Sequence, residues 1–266
     1  MKSIHARVMV AAVAAGVLAG CATAPKPMLS TQEKAEFGAR LERIKSVEIL
    51  YSDKDAITVV DGGGSGAIGL AGLLGPIGLI AAVVADGASK VTRMERGQAR
   101  TSEFKAKVLA ELPMSNLSRD FAEQVAEKLT ARGMEVKLTP LSGSRPGFDL
   151  ATYPEVANVA PGRAAIVLWN NPGIAAESAT AAYQASAVVD FYCQDADKNK
   201  IVDGQLRSTG GDVGRSFAGL LADVKPVYES VRTHYLKHHE KIVQECFSVP
   251  DEKRPTDRLK EIYKKN

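Results

Sequence analysis

The sequence predicts an α+β fold, with helices packed on a mostly antiparallel sheet, and three observations carry that expectation. Apolar residues recur at helical spacing in several stretches. Short β-branched runs pair off around turn residues, and a helix–glycine–strand unit lies between them. With 45% hydrophobic and 24% charged residues, the chain has the composition of an ordinary globular protein.

The elements follow in order. Phe37, Leu41 and Ile44 stand at i, i+4, i+7 and predict a helix over Glu33–Ile44. Ser46–Tyr51 and Ala56–Val60 are β-branched runs separated by Ser52-Asp53-Lys54-Asp55, the pattern of a hairpin. Lys90–Arg100 is a charged region, and Thr101–Leu112 has helical composition. Ser118 is placed to N-cap an amphipathic helix over Arg119–Arg132, with Phe121, Val125 and Leu129 on one face. Gly133 then supplies its C-terminal stop and Glu135–Leu138 a strand. Pro140–Gly162 is rich in Pro and Gly and reads as loop. Ala164–Trp169 is a strand of buried type. Tyr183–Cys193 and Lys200–Ser208 flank Asp195-Ala196-Asp197-Lys198-Asn199, a strong hairpin signal. A long helix is expected from about Val224 to Cys246, and Pro255 opens a short charged terminal helix.

The amino terminus carries a different message. Lys2 and Arg7 precede an uncharged apolar run, Val8–Ala19, too short to stay in a bilayer as a spanning helix. It ends Leu18-Ala19-Gly20-Cys21, which resembles the lipobox of bacterial lipoproteins. That resemblance implies cleavage before Cys21, a lipid on its thiol and residence outside the cytoplasm. Ala rather than Asp at position 22 implies, by the sorting analogy, the outer membrane on its periplasmic side. The expected organisation is a signal peptide over 1–20, a lipidated tether over 21–32, an α+β domain over 33–250 with an insertion at 62–90, and a charged C-terminal segment over 251–266. At the level of element order, the domain resembles small periplasmic domains of transport-auxiliary lipoproteins and of the curli-secretion channel family.

Charge excludes one class of partner. The chain has 34 Lys+Arg against 31 Asp+Glu; removing Lys2 and Arg7 leaves 32 against 31, a formal +1. That is no footprint for nucleic acid. Of 3 Cys, Cys21 is assigned to the lipid, so Cys193 and Cys246 remain as an even pair. In an oxidising compartment they are a candidate disulfide, the alternative being two separately buried thiols.

Gly62–Ala85 is uncharged and rich in Gly and Ala. Gly64, Gly66 and Gly69 form G-x-G-x-x-G after a strand, as in dinucleotide-binding turns. Pro76 falls where the following helix should run unbroken, and no core strand leads to Asp86, so no nucleotide cofactor is expected. The better reading takes Gly63, Ala67, Ala71 and Gly75, then Gly78 and Ala82, as small residues every four positions on two helical arms joined near Gly75-Pro76. Such a hairpin either packs as a buried or subunit-interface element or associates with a membrane.

Catalytic signals are sparse. His234 and His238 stand at i, i+4, the spacing of zinc-binding helices, but Tyr235 occupies the place where a zinc protease needs Glu, and His239 points elsewhere. The pair therefore reads as a solvated face with no metal. Asp195 and Asp197 read as turn residues rather than a calcium loop. No catalytic residue and no cofactor is expected. The function implied is a lipid-anchored envelope protein that works by binding or assembly, through a homo-oligomer or an envelope protein partner. A membrane-inserting oligomer and a metal-dependent envelope hydrolase are the alternatives.

Overall fold

The computed structural model describes residues 27–53, 57–61, 88–142, 149–176, 181–211, 213, 216–255 and 258–264. Cys21, the signal sequence and the Gly62–Ala85 hairpin with Gly63, Ala67, Ala71, Gly75, Gly78 and Ala82 lie outside the described residues. The fold is α+β, as the sequence predicts. Its elements are α1 (Thr31–Glu42), β1 (Ser46–Ser52), β2 (Thr58–Asp61), α2 (Ala88–Glu111), α3 (Leu117–Thr130), β3 (Glu135–Leu141), a single 3₁₀ turn (Leu150–Thr152) and α4 (Pro154–Ala157). There follow β4 (Ala164–Ala176), β5 (Gln184–Gln194), β6 (Lys200–Thr209), α5 (Phe217–Ala222), α6 (Val224–Leu236), α7 (His239–Phe247) and α8 (Arg258–Lys264).

The strands form one mixed sheet in the order β3-β1-β4-β5-β6, with β2 also paired to β4. Its two longest ladders, β4–β5 and β5–β6, are antiparallel. The ladders of β1 with β3, β1 with β4 and β2 with β4 are parallel.

The expected hairpin of β1 and β2 does not form. Both run parallel to β4 along the same edge, β1 opposite Ala164–Leu168 and β2 opposite Gly173–Ala176. They are two halves of one interrupted strand. Where the ladder lapses, Ser52 Oγ accepts the Asn170 N–H at 3.0 Å. Alternate amides along a strand point the same way, so the missing N–H of Pro172 faces this break, where it costs no ladder bond. The outer edge of β2 is covered by α2. The Val59 N–H donates to Thr101 Oγ1 at 2.9 Å, and a Cβ on Gly97 would stand 3.3 Å from the Val59 carbonyl oxygen. Capping a strand edge with a helix blocks its pairing with other chains.

Several boundaries differ from expectation for local reasons. Helix α1 begins at Thr31, with Ser30 and Glu33 forming a capping box. Just before it, Leu29 N donates to the Asp251 carbonyl and Lys253 N to that of Pro27, so residues 27–32, read as tether, belong to the fold. The charged Lys90–Arg100 stretch is not separate but the first half of α2. Asn116, not Ser118, N-caps α3, its side chain accepting the Arg119 N–H at 2.9 Å. Gly133 does end that helix, at φ +80°. Strand β4 continues seven residues past Trp169, and the expected loop over Pro140–Gly162 contains the short turn and α4.

The long terminal helix is broken at Lys237–His238 into α6 and α7. The carbonyl of Leu236, released by the break, is met by His239 Nδ1 at 2.7 Å.

The central strands β1, β4 and β5 are buried on both faces. One face carries the main core, where Ile49, Ile166, Leu168, Val189 and Phe191 meet Phe121, Val125 and Leu129 of α3, Val231 and Tyr235 of α6 and Ile242 of α7. The other face carries a smaller core, in which Leu50, Val167, Trp169 and Tyr192 meet Leu150, Tyr153, Val156 and Leu259. Each such fully buried aliphatic or aromatic side chain contributes about 1.5–3 kcal/mol by leaving water. Among the described residues, no helix is long and apolar enough to cross a membrane.

Candidate functional site

The described residues bring chemistry-bearing side chains together most closely at the far end of edge strand β6. Ser208 lies near its end. The chain then turns through Gly210 and Gly211, both at positive φ, +127° and +107°, which only glycine adopts without strain. Helix α6 passes beside this turn, and its break carries His238 back toward the same point.

His234 Nε2 lies 2.9 Å from Ser208 Oγ, and His238 Nε2 lies 2.6 Å from the same oxygen. The two rings stand edge to face with centroids 5.8 Å apart. Gly211 backs the His234 ring: a Cβ there would meet His234 Nδ1 at 3.3 Å. Lys237 Nζ lies 3.1 Å from His234 Nδ1.

An ammonium can only donate, so His234 Nδ1 accepts from it and the ring proton sits on Nε2. His234 Nε2–H then donates to Ser208 Oγ, and the Ser208 hydroxyl donates to His238 Nε2. One directed chain runs from Lys237 through His234 and Ser208 to His238. His234 is buried, while Ser208 and His238 are half-buried. Burial and the Lys237 charge push the His234 pKa down. Burial, Lys237, His234 and Lys241 push that of His238 down to about 4. Both rings are therefore neutral at pH 7.

The sequence placed His234 and His238 together; it did not place Ser208 with them, because nothing in a serine at a strand end announces a partner 26 residues on. His239 points away from the pair, to the Leu236 carbonyl. Chemically the cluster offers a hydroxyl between two neutral imidazoles. Neither imidazole has a carboxylate partner among the described residues, and these contain no group of three or more His, Cys, Asp or Glu placed to hold a metal.

Cys193 of β5 and Cys246 of α7 are joined as a disulfide, with Cα atoms 5.9 Å apart. Both cysteines are buried in the main core, so the bridge ties the sheet to the last long helical segment. Asp195 and Asp197 lie in the β5–β6 turn, as their sequence context predicts. Asp195 Oδ1 accepts the backbone N–H of Asp197 at 3.0 Å and of Asn199 at 2.8 Å, and its Oδ2 is taken by Arg40. The two Asp195 oxygens are thus engaged, Oδ1 by the turn and Oδ2 by Arg40 of α1.

Two buried polar arrangements have no signal in the sequence. Glu48, on β1, accepts at Oε1 from Lys137 Nζ at 2.8 Å and Thr139 Oγ1 at 2.6 Å, both on β3. Asp190, fully buried on β5, accepts from Gln205 Nε2 on β6 at 2.5 Å. Both are cross-strand pairings, visible only once register is known. No protein-family model, no curated protein and no solved structure matches this chain.

Proposed function

We propose that this chain is an outer-membrane lipoprotein facing the periplasm, held by lipid on Cys21, and that it serves the envelope by binding or assembly rather than by covalent chemistry. The observation that carries the reading is the Cys193–Cys246 bridge, since such bonds form and persist in oxidising compartments. The leader sequence supports the same compartment independently, through its uncharged run and Leu18-Ala19-Gly20-Cys21. Two or three acyl chains on one cysteine anchor a protein stably where a single chain does not. The domain carries a core on each face of its sheet, which makes it a scaffold able to hold a partner or a further copy of itself.

Metabolic labelling with an alkyne palmitate tests the anchor. The wild-type chain is expected to take up label and to sediment with outer membranes, and Cys21→Ser to do neither. An intact, unacylated leader on protein from cells overturns the proposal.

The second reading, a membrane-inserting oligomer, is favoured by the four-residue spacing of Gly63, Ala67, Ala71 and Gly75. Liposome flotation of non-lipidated protein separates the two. Flotation that is lost on deleting Gly62–Ala85 favours insertion, and a soluble monomer rejects it.

A further inference from the structure

We propose that His234 and His238 form a binding site for one imidazole-seeking divalent cation, of the copper, nickel or zinc class, at the junction of β6, α6 and α7. The reason is convergence. Two histidines at i, i+4 only have the opportunity to share a ligand; here both present the same nitrogen, Nε2, to one point, at 2.9 and 2.6 Å from Ser208 Oγ. A metal–imidazole bond of about 2.0–2.1 Å is reached from there by a small closing movement of the two rings. Imidazole pairs suit copper, nickel and zinc rather than the hard cations that need oxygen cages.

The surroundings fit that role. Gly211 packs against the His234 ring and fixes its position, and the break at Lys237–His238 aims His238 across at it. The site lies on an edge strand beside the exposed Gly211 and Lys237, so water and ions reach it. Ser208 holds the two nitrogens in register without a cation and yields to one by rotating its hydroxyl; water completes the coordination shell. Lys237 opposes the cation. Its contact at Nδ1 fixes the His234 proton on Nε2, the nitrogen that must bind, so the lysine has to swing out into solvent as His234 changes tautomer.

The test is copper titration of the full-length chain, purified in detergent and stripped with chelator, read by electron paramagnetic resonance. One equivalent of Cu²⁺ is expected to bind with hyperfine splitting from two nitrogens. His234→Ala and His238→Gln should each weaken binding about tenfold or more. Lys237→Ala should tighten it about threefold to tenfold, because a nearby positive charge is removed. His239→Ala should leave the spectrum unchanged. Circular dichroism and the melting temperature establish that each variant is folded, and the half-exposed His238 carries the test alone if His234→Ala unfolds. Absence of the two-nitrogen spectrum, retention of it in folded His238→Gln, or its loss in His239→Ala overturns the site.

Discussion

Arg40 and Asp195 meet across 155 residues of sequence, the guanidinium donating from both Nε and Nη2 to Asp195 Oδ2 at 3.0 and 2.6 Å. The aspartate side chain is only 4% exposed. Its other oxygen closes the β5–β6 turn, so a single carboxylate fastens both the hairpin and α1. Removing its charge leaves Arg40 and two backbone amides with a weaker acceptor. Asp195→Asn is expected to lower stability by about 2–3 kcal/mol, measured by urea unfolding. An unchanged midpoint would show that the contact contributes nothing.

The same residue sets a pH dependence. Burial pushes the Asp195 carboxyl up, but the hydrogen bond from Arg40, the Asn199 amide and the Arg40 charge together outweigh it and hold the pKa below the ordinary 3.8. A folded value below the unfolded one means the stabilisation is complete above pH 3.8 and is lost as the pH falls through the folded value. Wild-type stability should therefore fall more steeply as the pH drops below about 4 than that of Asp195→Asn. Parallel curves for the two proteins would contradict this.

The disulfide closes a loop with a sequence separation of 53. On the chain-entropy estimate that is worth about 4 kcal/mol, or roughly 10 °C in melting temperature for a domain of this size. Cys193→Ser and Cys246→Ser should each melt lower than oxidised wild type and close to wild type held in reductant. Identical melting of all the oxidised proteins would mean that the bridge is not formed in solution.

Phe121 is fully buried, and its ring centroid lies 4.8 Å from that of Tyr235. It joins α3 to α6 at the centre of the main core. Phe121→Ala leaves a cavity there and should cost about 3–5 kcal/mol. Calorimetry measures this, and a loss below 1 kcal/mol would mean that the site collapses around the smaller residue.

Gly204 pairs with Phe191 across the β5–β6 ladder. A Cβ at position 204 would stand 2.9 Å from Phe191 Cζ, and Phe191 is itself 1% exposed, with little room to retreat. Gly204→Ala is expected to destabilise by about 1–3 kcal/mol through overpacking, although alanine suits a strand better than glycine. A more stable variant in chemical denaturation would show that the ring moves freely.

Local chemistry was legible wherever it acts over a few residues. The Asp195–Asn199 turn, the glycine stop at Gly133 and the amphipathic face of Phe121, Val125 and Leu129 all form where the sequence predicts them. Long-range choices were not. The runs at Ser46–Tyr51 and Ala56–Val60 read as a hairpin because they are adjacent, yet both prefer β4. The candidate site was half legible: helical spacing put His234 beside His238, whereas Ser208 reaches them only through the packing of β6 on α6.

By itself the sequence determined the helix or strand state of its strongly periodic segments, which of their faces are apolar, and that two cysteines remain to pair once Cys21 is assigned to lipid. Those properties follow from side-chain period and composition. The tertiary structure alone decided that β1 and β2 share one edge of β4, that the last long helix breaks at Lys237–His238, and that two imidazoles close on one hydroxyl. A period-2 pattern fixes the face of a strand but leaves its neighbour open. Partner and register are settled by the competition of all strands and helices to cover one sheet.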